Sequence, residues 1–438
     1  MKENKYLAPF IAVTTLFFIW GFITVLVDSL VPRLRELFEL DLGTAALLQF
    51  AFFMAYFLIS IPAGVLLSKI GYRKGMVLGL GTIAAGCFLY GPAAEMREFW
   101  LFGIAFFVVA SGMAILQVAA NPYVSVLGNP EGASSRLTLA QAFNSLGATV
   151  APIFGAYYLL SDHLKSSDQI SQLEAGEKAA YFAQEASAVQ GPFYIIGGVL
   201  IVIMIFFLFV PLPQMLSGSV QGGFFKALKN KRLRDGAFAI LFYVGVEVAI
   251  STFAVVYFVN KGLGPMVIES DFHGWLARLI HGDDLSGIDQ KGLLGIFLAL
   301  YWGGAMVGRF IGAYLIRVMK PALVLTLFGS TAIVLLLISA VSSGFVAMWA
   351  LLLVGFFNSI MFPTIFTLAI DKLGDLKPQG SGILCSAIVG GAIIPPLYGY
   401  AAEWQGFEKS FIIFIICYSF IAFYAYRLLK GKYETSQS

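Results

Sequence analysis

Residues 9–31 read PFIAVTTLFFIWGFITVLVDSLV, an almost unbroken apolar run. A helix rises about 1.5 Å per residue, so a run of this length crosses the roughly 30 Å hydrocarbon core of a bilayer. Its one carboxylate, Asp28, lies most of the way along the run. An acidic side chain within a membrane helix costs about 2.5–3.5 kcal/mol on insertion scales and is seldom kept without a role. The stretch therefore predicts a membrane span and makes Asp28 the first candidate functional residue.

Similar apolar stretches recur along the whole chain. Of its 438 residues, 59% are hydrophobic and 12% are charged, whereas soluble proteins carry about 25% charged residues. Spans are predicted at residues 9–31, 43–68, 75–93, 99–127, 137–161, 191–213, 236–260, 291–316, 321–342, 345–370, 379–402 and 408–428. The first has no cleavage site and is followed directly by another span, so we expect it to be retained. The predicted fold class is an all-α integral membrane protein with twelve transmembrane helices.

The charges that border these spans predict an orientation, because Lys and Arg near span ends favour the cytoplasmic side. With twelve spans, five basic clusters fall on one side, at residues 2–5, 69–74, 226–234, 317–320 and 427–432. The acid-rich segments 162–190 and 261–290 fall on the other side. We therefore expect a multi-pass protein of the bacterial inner membrane with both termini in the cytoplasm. The basic run at 226–234 is interpreted as a membrane-surface loop, and no nucleic-acid partner is expected.

The chain divides at the long, glycine-containing segment 214–235. We predict an N-terminal six-helix bundle at 1–213, a cytoplasmic linker at 214–235 and a C-terminal six-helix bundle at 236–438. Residues 145–155 in span five resemble residues 389–399 in span eleven, and Gly64 and Lys69 match Gly312 and Arg317. Duplicated helical halves are how several transporters expose a midplane site alternately to each side of the membrane. The duplication favours a transporter over a channel or a membrane enzyme.

Polar side chains recur inside the spans at helical spacing, which places them on common faces. The candidate substrate-binding residues are Trp20, Gln49, Tyr56, Gln117, Asn121, Gln141, Asn144, Tyr243, Glu247 and Asn358. Amides and carboxylates match vicinal hydroxyl groups, and an aromatic ring packs on the C–H face of a pyranose. Such polar groups also join helices without any ligand, but their recurrence in both halves favours a polyol or sugar site. Lys and His are absent from the span centres, which argues against an anionic substrate.

Two arginines and three cysteines within the spans have simpler interpretations. Arg136 and Arg309 lie near the cytoplasmic ends of their spans, where each either neutralises a carboxylate or extends to the interface. Cys87, Cys385 and Cys417 have neither disulfide-framework nor metal-ligand spacing, and we expect them to be packing residues. Neither a metal site nor a cofactor is expected.

Several motifs resemble a known family. Gly64-Val-Leu-Leu-Ser-Lys-Ile-Gly-Tyr-Arg-Lys74 resembles the signature between spans two and three of the major facilitator superfamily, with Ser68 where an Asp is usual. Two longer motifs are more specific: Gln117-Val-Ala-Ala-Asn-Pro-Tyr-Val-Ser-Val-Leu-Gly128 and Arg136-Leu-Thr-Leu-Ala-Gln-Ala-Phe-Asn-Ser-Leu-Gly147. They resemble the fucose–galactose–glucose proton symporters over essentially all twelve spans. The resemblance implies the fold of that superfamily, two pseudo-symmetric six-helix bundles.

The resemblance also implies roles for individual residues. Asp28 matches the span-one Asp that the fucose permease uses for proton coupling, and Gln141 and Asn144 match span-five residues near its sugar. Gln117 stands where that permease has a second acid, a pattern typical of the glucose/galactose branch, which also carries an acid at the place of Glu247. The signature implies a gating role for Gly64, Lys69 and Arg73. We add Arg136 and Arg309, the two arginines near span ends, to this set of gating residues.

The function predicted from the sequence is uptake of a neutral hexose, glucose or galactose, by proton symport with alternating access. Asp28 is the expected proton carrier, and Glu247 is a second proton site, a sugar ligand or the partner of a basic group. A single pseudo-symmetric chain is expected to suffice, so we predict a functional monomer in the lipid bilayer.

Several alternatives stay open at this point. Sodium coupling, or transport of L-fucose or N-acetylglucosamine, keeps the same fold. A facilitator or exporter of amphipathic compounds would need a wide apolar cavity. A sugar-sensing membrane receptor or a membrane enzyme would need a signalling domain or a catalytic constellation, and the sequence supplies neither.

Overall fold

The structure of this chain, a computed structural model, describes residues 6–28, 42–96, 98–158, 172–210, 212–213, 223–285 and 287–433. In the first half of the chain the helices are α1 (Leu7–Asp28), α2 (Leu42–Ile70), α3 (Tyr72–Met96), α4 (Phe99–Val126), α5 (Ala133–Tyr158) and α6 (Ala175–Phe209). A short helix, α7 (Gly223–Leu228), precedes the second half. There the helices are α8 (Lys231–Asn260), α9 (Leu263–Glu269), α10 (Asp271–His281), α11 (Gln290–Val318), α12 (Pro321–Val341), α13 (Gly344–Asn358), α14 (Met361–Ile370), α15 (Lys377–Ser386), α16 (Gly390–Gln405) and α17 (Phe407–Leu429).

The described helices confirm the predicted all-α membrane fold. Within the described ranges, eleven segments are long and apolar enough to cross a membrane, and each coincides with a predicted span. The remaining predicted span, 137–161, overlaps α5, which is a helix of 26 residues. The count agrees with the twelve predicted spans.

Two predicted spans of the second half are each built from two helices. Span ten consists of α13 and α14, which are separated at Ser359 and Ile360. Span eleven consists of α15 and α16, joined by a 3₁₀ turn at Ala387–Val389. Breaks inside spans free backbone groups at membrane depth and are typical of transporters, where they lie near substrate sites.

Two segments that the sequence predicts as connections contain helices. The acid-rich segment 162–190 holds the first part of α6, which begins at Ala175 and continues into span six without a break. The segment 261–290 holds α9 and α10. Charge patterning predicts on which side of the membrane such segments lie, but it does not predict whether they fold.

The contacts divide the chain into two compact units. Unit 1 consists of Met1–Ala133, Phe143–Leu233 and Ile370–Ala387; unit 2 consists of Ser134–Ala142, Arg234–Ala369 and Ile388–Ser438. Each unit is therefore mostly one half of the chain together with a short segment of the other half. The predicted linker at 214–235 lies partly outside the described residues, and the predicted domain boundaries stay a prediction.

Glycines allow the first and fifth spans of each half to cross closely. A Cβ atom on Gly21 of α1 would collide with the Asn144 carbonyl of α5, and one on Gly147 with the Phe18 carbonyl of α1. In unit 2 a Cβ atom on Gly390 of α16 would collide with the Leu241 carbonyl of α8. Small residues at such crossings let helix backbones approach each other in the membrane. The same crossing thus occurs once in each unit, as expected of a duplicated chain.

Candidate functional site

Unit 1 contains a buried amide hydrogen-bonded to a tyrosine. The Gln117 Nε2 group of α4 donates to the Tyr56 hydroxyl of α2 at 2.7 Å. The Gln117 side-chain oxygen has no hydrogen-bond partner among the described residues, and Asn121, one turn further along α4, interacts with the Cys385 thiol of α15. Gln117 is 4% exposed and Asn121 is fully buried. Because an unpaired buried polar group costs about 1–3 kcal/mol, the Gln117 oxygen is suited to a polar ligand.

The side chain of the predicted residue Asn144 in α5 bonds the backbone of α1 near the predicted residue Trp20. Asn144 Nδ2 donates to the Phe17 carbonyl at 2.9 Å. Trp20 is half-buried, and its ring packs against that of Phe17 with centroids 5.7 Å apart. The Thr24 hydroxyl donates to the Trp20 carbonyl at 2.9 Å. Asn144 thus holds the α1 backbone next to Trp20, which stabilises this crossing.

Unit 2 contains a second buried amide, now joined to two tyrosines. Asn358 Nδ2, at the end of α13, donates to the Tyr301 hydroxyl of α11 at 2.8 Å. The Tyr418 hydroxyl of α17 donates to Asn358 Oδ1 at 2.7 Å. All three side chains are fully buried. The Asn358 amide is therefore satisfied on both atoms and joins three spans.

Beside this network, the Tyr243 hydroxyl of α8 donates to Glu247 Oε1 at 2.6 Å. Arg309 of α11 interacts electrostatically with Glu247. Its guanidinium also donates to the Ser359 carbonyl, at the break in span ten, and to the Gln141 carbonyl, at 3.3 and 3.5 Å. Its described hydrogen bonds go to backbone carbonyls, and the two interpretations of Arg309 stay predictions.

The two units use equivalent pairs. Tyr56 and Gln117 come from the second and fourth spans of the first half, and Tyr301 and Asn358 come from the second and fourth spans of the second half. Tyr301 and Tyr418 were not among the predicted site residues. A tyrosine within an apolar span is commonplace in sequence and carried no signal that pointed to Tyr301.

The predicted gating residues differ in their surroundings. Gly64 is buried against α15, where an added Cβ atom would lie 2.6 Å from the Pro378 carbonyl. Lys69 is exposed in the last turn of α2, and Arg73 is exposed and donates to the Val210 carbonyl at 3.3 Å. Ser68, which replaces the usual Asp, donates to the Val65 carbonyl of its own helix at 2.7 Å.

Four other predicted residues are located as follows. Arg136 is half-buried in the first turn of α5, and Gln141 is buried one to two turns further along that helix. Gln49 is exposed on α2. Asp28 is the last residue of α1, and its side chain lies outside the described residues.

The many long apolar helices, together with buried amides inside them, define a multi-pass membrane protein of the transporter class. A model of the Major Facilitator Superfamily matches residues 7–387. A glucose/galactose transporter of Brucella abortus is 42% identical over 429 residues, which cover 97% of this chain and 94% of the relative. An L-fucose-proton symporter of Escherichia coli is 33% identical over 439 residues, with coverage of 97% and 94%.

A solved structure gives the same result. The crystal structure of the Escherichia coli fucose:proton symporter matches with a TM-score of 0.84 and 30% identity, over 96% of this chain and 98% of that one. The chain belongs to the Major Facilitator Superfamily, as its motifs predict. Its relatives are named as transporters and symporters, which confirms the prediction of a transporter rather than an enzyme.

Proposed function

We propose that this protein takes up a neutral hexose, glucose or galactose, by proton symport with alternating access. The observation that carries this proposal is the 42% identity to the glucose/galactose transporter over almost the whole of both chains. Proton coupling is named for the fucose relatives, which are more distant in sequence but similar in fold. Glucose or galactose is therefore preferred to L-fucose as substrate.

The buried amides of unit 1 are the proposed sugar ligands. Gln117 keeps one acceptor without a partner among the described residues, and Asn121 is fully buried one turn further along α4. An amide offers a donor and an acceptor side by side, which matches neighbouring sugar hydroxyls. Trp20, half-buried on α1, is the aromatic residue proposed to pack on the sugar ring.

The two carboxylates have different proposed roles. Asp28 is proposed to take up a proton on the outer side and release it on the inner side, so that the carboxyl is neutral when the core is occluded. Glu247 accepts a hydrogen bond from Tyr243 on Oε1 and is proposed to accept another from a sugar hydroxyl. We therefore assign Asp28 to coupling and Glu247 to the substrate site.

The proposal also covers the membrane location of the protein, its need for a cofactor and its oligomeric state. We propose a place in the bacterial inner membrane, and the distribution of Lys and Arg supports both termini in the cytoplasm. No cofactor is proposed, because a proton gradient is sufficient to drive transport. One chain contains both halves needed for alternating access, so we propose a functional monomer.

The test compares two carboxylate-to-amide changes in proteoliposomes, Asp28→Asn and Glu247→Gln. We expect Asp28→Asn to abolish sugar-driven proton movement while sugar counterflow continues, because exchange needs no net proton transfer. We expect Glu247→Gln to weaken sugar binding while each transported sugar still carries its proton. Undiminished proton movement in Asp28→Asn would overturn the assignment of the coupling residue.

A further inference from the structure

Helix α10, in the connection between the first two spans of the second half, has three distinct faces. His273, Gly274 and Ala277 are buried against the protein. Asp271 and Arg278 are exposed and lie on one second face, two turns apart, since helical residues are about 100° apart. A third face carries four large apolar side chains that are more than half exposed, namely Phe272, Trp275, Leu279 and Ile280. A helix with an apolar face that the protein does not cover needs an apolar neighbour.

The depth of α10 follows from the contacts of His273. Its ring stacks on that of Phe345 with centroids 3.6 Å apart, and Trp349 Nε1 donates to His273 Nε2 at 3.1 Å. Phe345 and Trp349 lie within the first six residues of α13, which begins at Gly344. At about 1.5 Å per residue, both lie within roughly 8 Å of the end of that span. Helix α10 therefore lies at the depth where the span meets the membrane surface.

A neighbouring span gives the same depth. The rings of His273 and Phe297 are 6.0 Å apart, and Phe297 lies two turns into α11, which begins at Gln290. The interfacial region of a bilayer extends several ångströms on either side of the hydrocarbon boundary. Through His273, α10 thus lies beside the ends of two spans, where we expect the interfacial region to be.

The attachment of α10 relies on a neutral histidine. Because the Trp349 indole donates to Nε2, that nitrogen carries no proton, and Nδ1 contacts the Ser270 hydroxyl at 2.8 Å. Burial lowers the pKa of His273 below its usual range, which favours this neutral form. The helix is held against α13 by stacking and neutral hydrogen bonds, which suit a site of low polarity.

We propose that α10 is an interfacial helix whose face Phe272–Trp275–Leu279–Ile280 inserts into the lipid of the bilayer. In this arrangement Asp271 and Arg278 point toward water, and the buried face stays on the protein. Aromatic side chains are enriched at membrane interfaces, and helices with separate apolar and charged faces bind there. The bilayer is preferred to a second copy because the apolar face lies at the depth of the lipid that surrounds the spans. The inference depends on the membrane fold and is independent of the transported substrate.

The test uses site-directed spin labels in proteoliposomes at Trp275→Cys and Leu279→Cys, with Arg278→Cys as the matched control on the charged face. The native cysteines are at most 2% exposed, so the label reacts with the introduced one, and unsubstituted protein gives the background. We expect labels at positions 275 and 279 to be more accessible to oxygen than to a water-soluble nickel complex, and the label at 278 to show the reverse. Equal access to the nickel complex at all three would overturn the proposal. Protection of 275 and 279 from both reagents would also overturn it and would indicate a second copy on this face.

A second measurement avoids labelling. Lipids brominated near the headgroup quench indole fluorescence at short range. We expect them to quench unsubstituted protein more than the Trp275→Phe variant, which keeps an aromatic side chain at this position. Equal absolute losses of fluorescence in the two proteins would contradict insertion of Trp275.

Discussion

At the residue scale, the main distinction lies between two buried amides, each in the fourth span of its half and each paired with a tyrosine. Asn358 is hydrogen-bonded on both atoms and joins three spans. Gln117 pairs with Tyr56, and its oxygen has no partner among the described residues. An amide that is hydrogen-bonded on both atoms stabilises the helix bundle, whereas an amide with an unpaired atom can bind a ligand. The two tyrosine–amide pairs therefore differ in the roles that they can play.

Replacement of Gln117 tests this difference. Gln117→Leu removes both the donor to Tyr56 and the unpaired acceptor at similar volume. We expect the KM for sugar to rise about tenfold or more, because a lost hydrogen bond to a buried group costs about 1–3 kcal/mol. The measurement is initial uptake rate against sugar concentration.

Gln190→Leu is the matched control. Gln190 donates to the Gly91 carbonyl at 3.1 Å, so this variant also loses an amide hydrogen bond, but away from the predicted site. We expect its KM to stay within about twofold of the unsubstituted value. Equal increases of KM in both variants would mean that Gln117 acts through general stability.

At the scale of helices, the contact of α2 with α15 is made by backbone. A Cβ atom added at Gly64 would lie 2.6 Å from the Pro378 carbonyl, and one added at Gly382 would lie 2.6 Å from the Ser60 carbonyl. The Ser381 hydroxyl donates to the Val118 carbonyl of α4 at 2.9 Å. These contacts make α15 part of unit 1, although it comes from the second half of the chain.

Gly64→Ala tests whether this contact matters for transport. The added methyl group would force α2 and α15 apart, and overpacking of this kind costs about 1–3 kcal/mol. We expect maximal uptake velocity to fall at least severalfold, with a lower unfolding temperature in detergent.

Gly103→Ala on α4 is the control, because a Cβ atom there would meet nothing within 4 Å. Both variants introduce the same residue into a helix of the same unit. Unchanged uptake in Gly64→Ala would show that α15 contributes nothing to the transport cycle through this contact.

At the scale of the whole molecule, the duplicated halves and the relatives support secondary active transport, and the coupling ion is the property to test. We expect sugar accumulation in proteoliposomes to survive replacement of Na⁺ by choline at fixed pH and to be lost when a protonophore collapses the proton gradient. Each charge moved inward gains about 2.3 kcal/mol per 100 mV, which concentrates a neutral sugar tens of fold. Loss of accumulation in choline would indicate sodium coupling.

Counterflow of radiolabelled sugars in the same proteoliposomes tests which sugar is transported, because counterflow needs no driving ion. Radiolabelled glucose and galactose are expected to exchange, and L-fucose and N-acetylglucosamine are expected to exchange more slowly. Faster exchange of L-fucose than of either hexose would contradict the proposed substrate.

The sequence also predicted parts of the candidate site. The Gln117 and Asn358 amides and the Tyr243 and Glu247 pair were found because polar residues at helical spacing stand out in apolar spans. Tyr301 and Tyr418 were missed, since an isolated tyrosine in a span carries no such signal. Helix α10 and its separate buried, charged and apolar faces were also missed, because the charged segment around it predicted only a loop outside the membrane.

The sequence by itself determined the class of this protein, the number and order of its spans and its family. Each of these depends on local properties, namely the length of apolar runs and motifs within a single helix. The tertiary structure decided which polar groups meet, which buried amide is left unsatisfied, and where α15 and α10 lie. These depend on contacts between residues far apart in the chain, which helical periodicity does not encode.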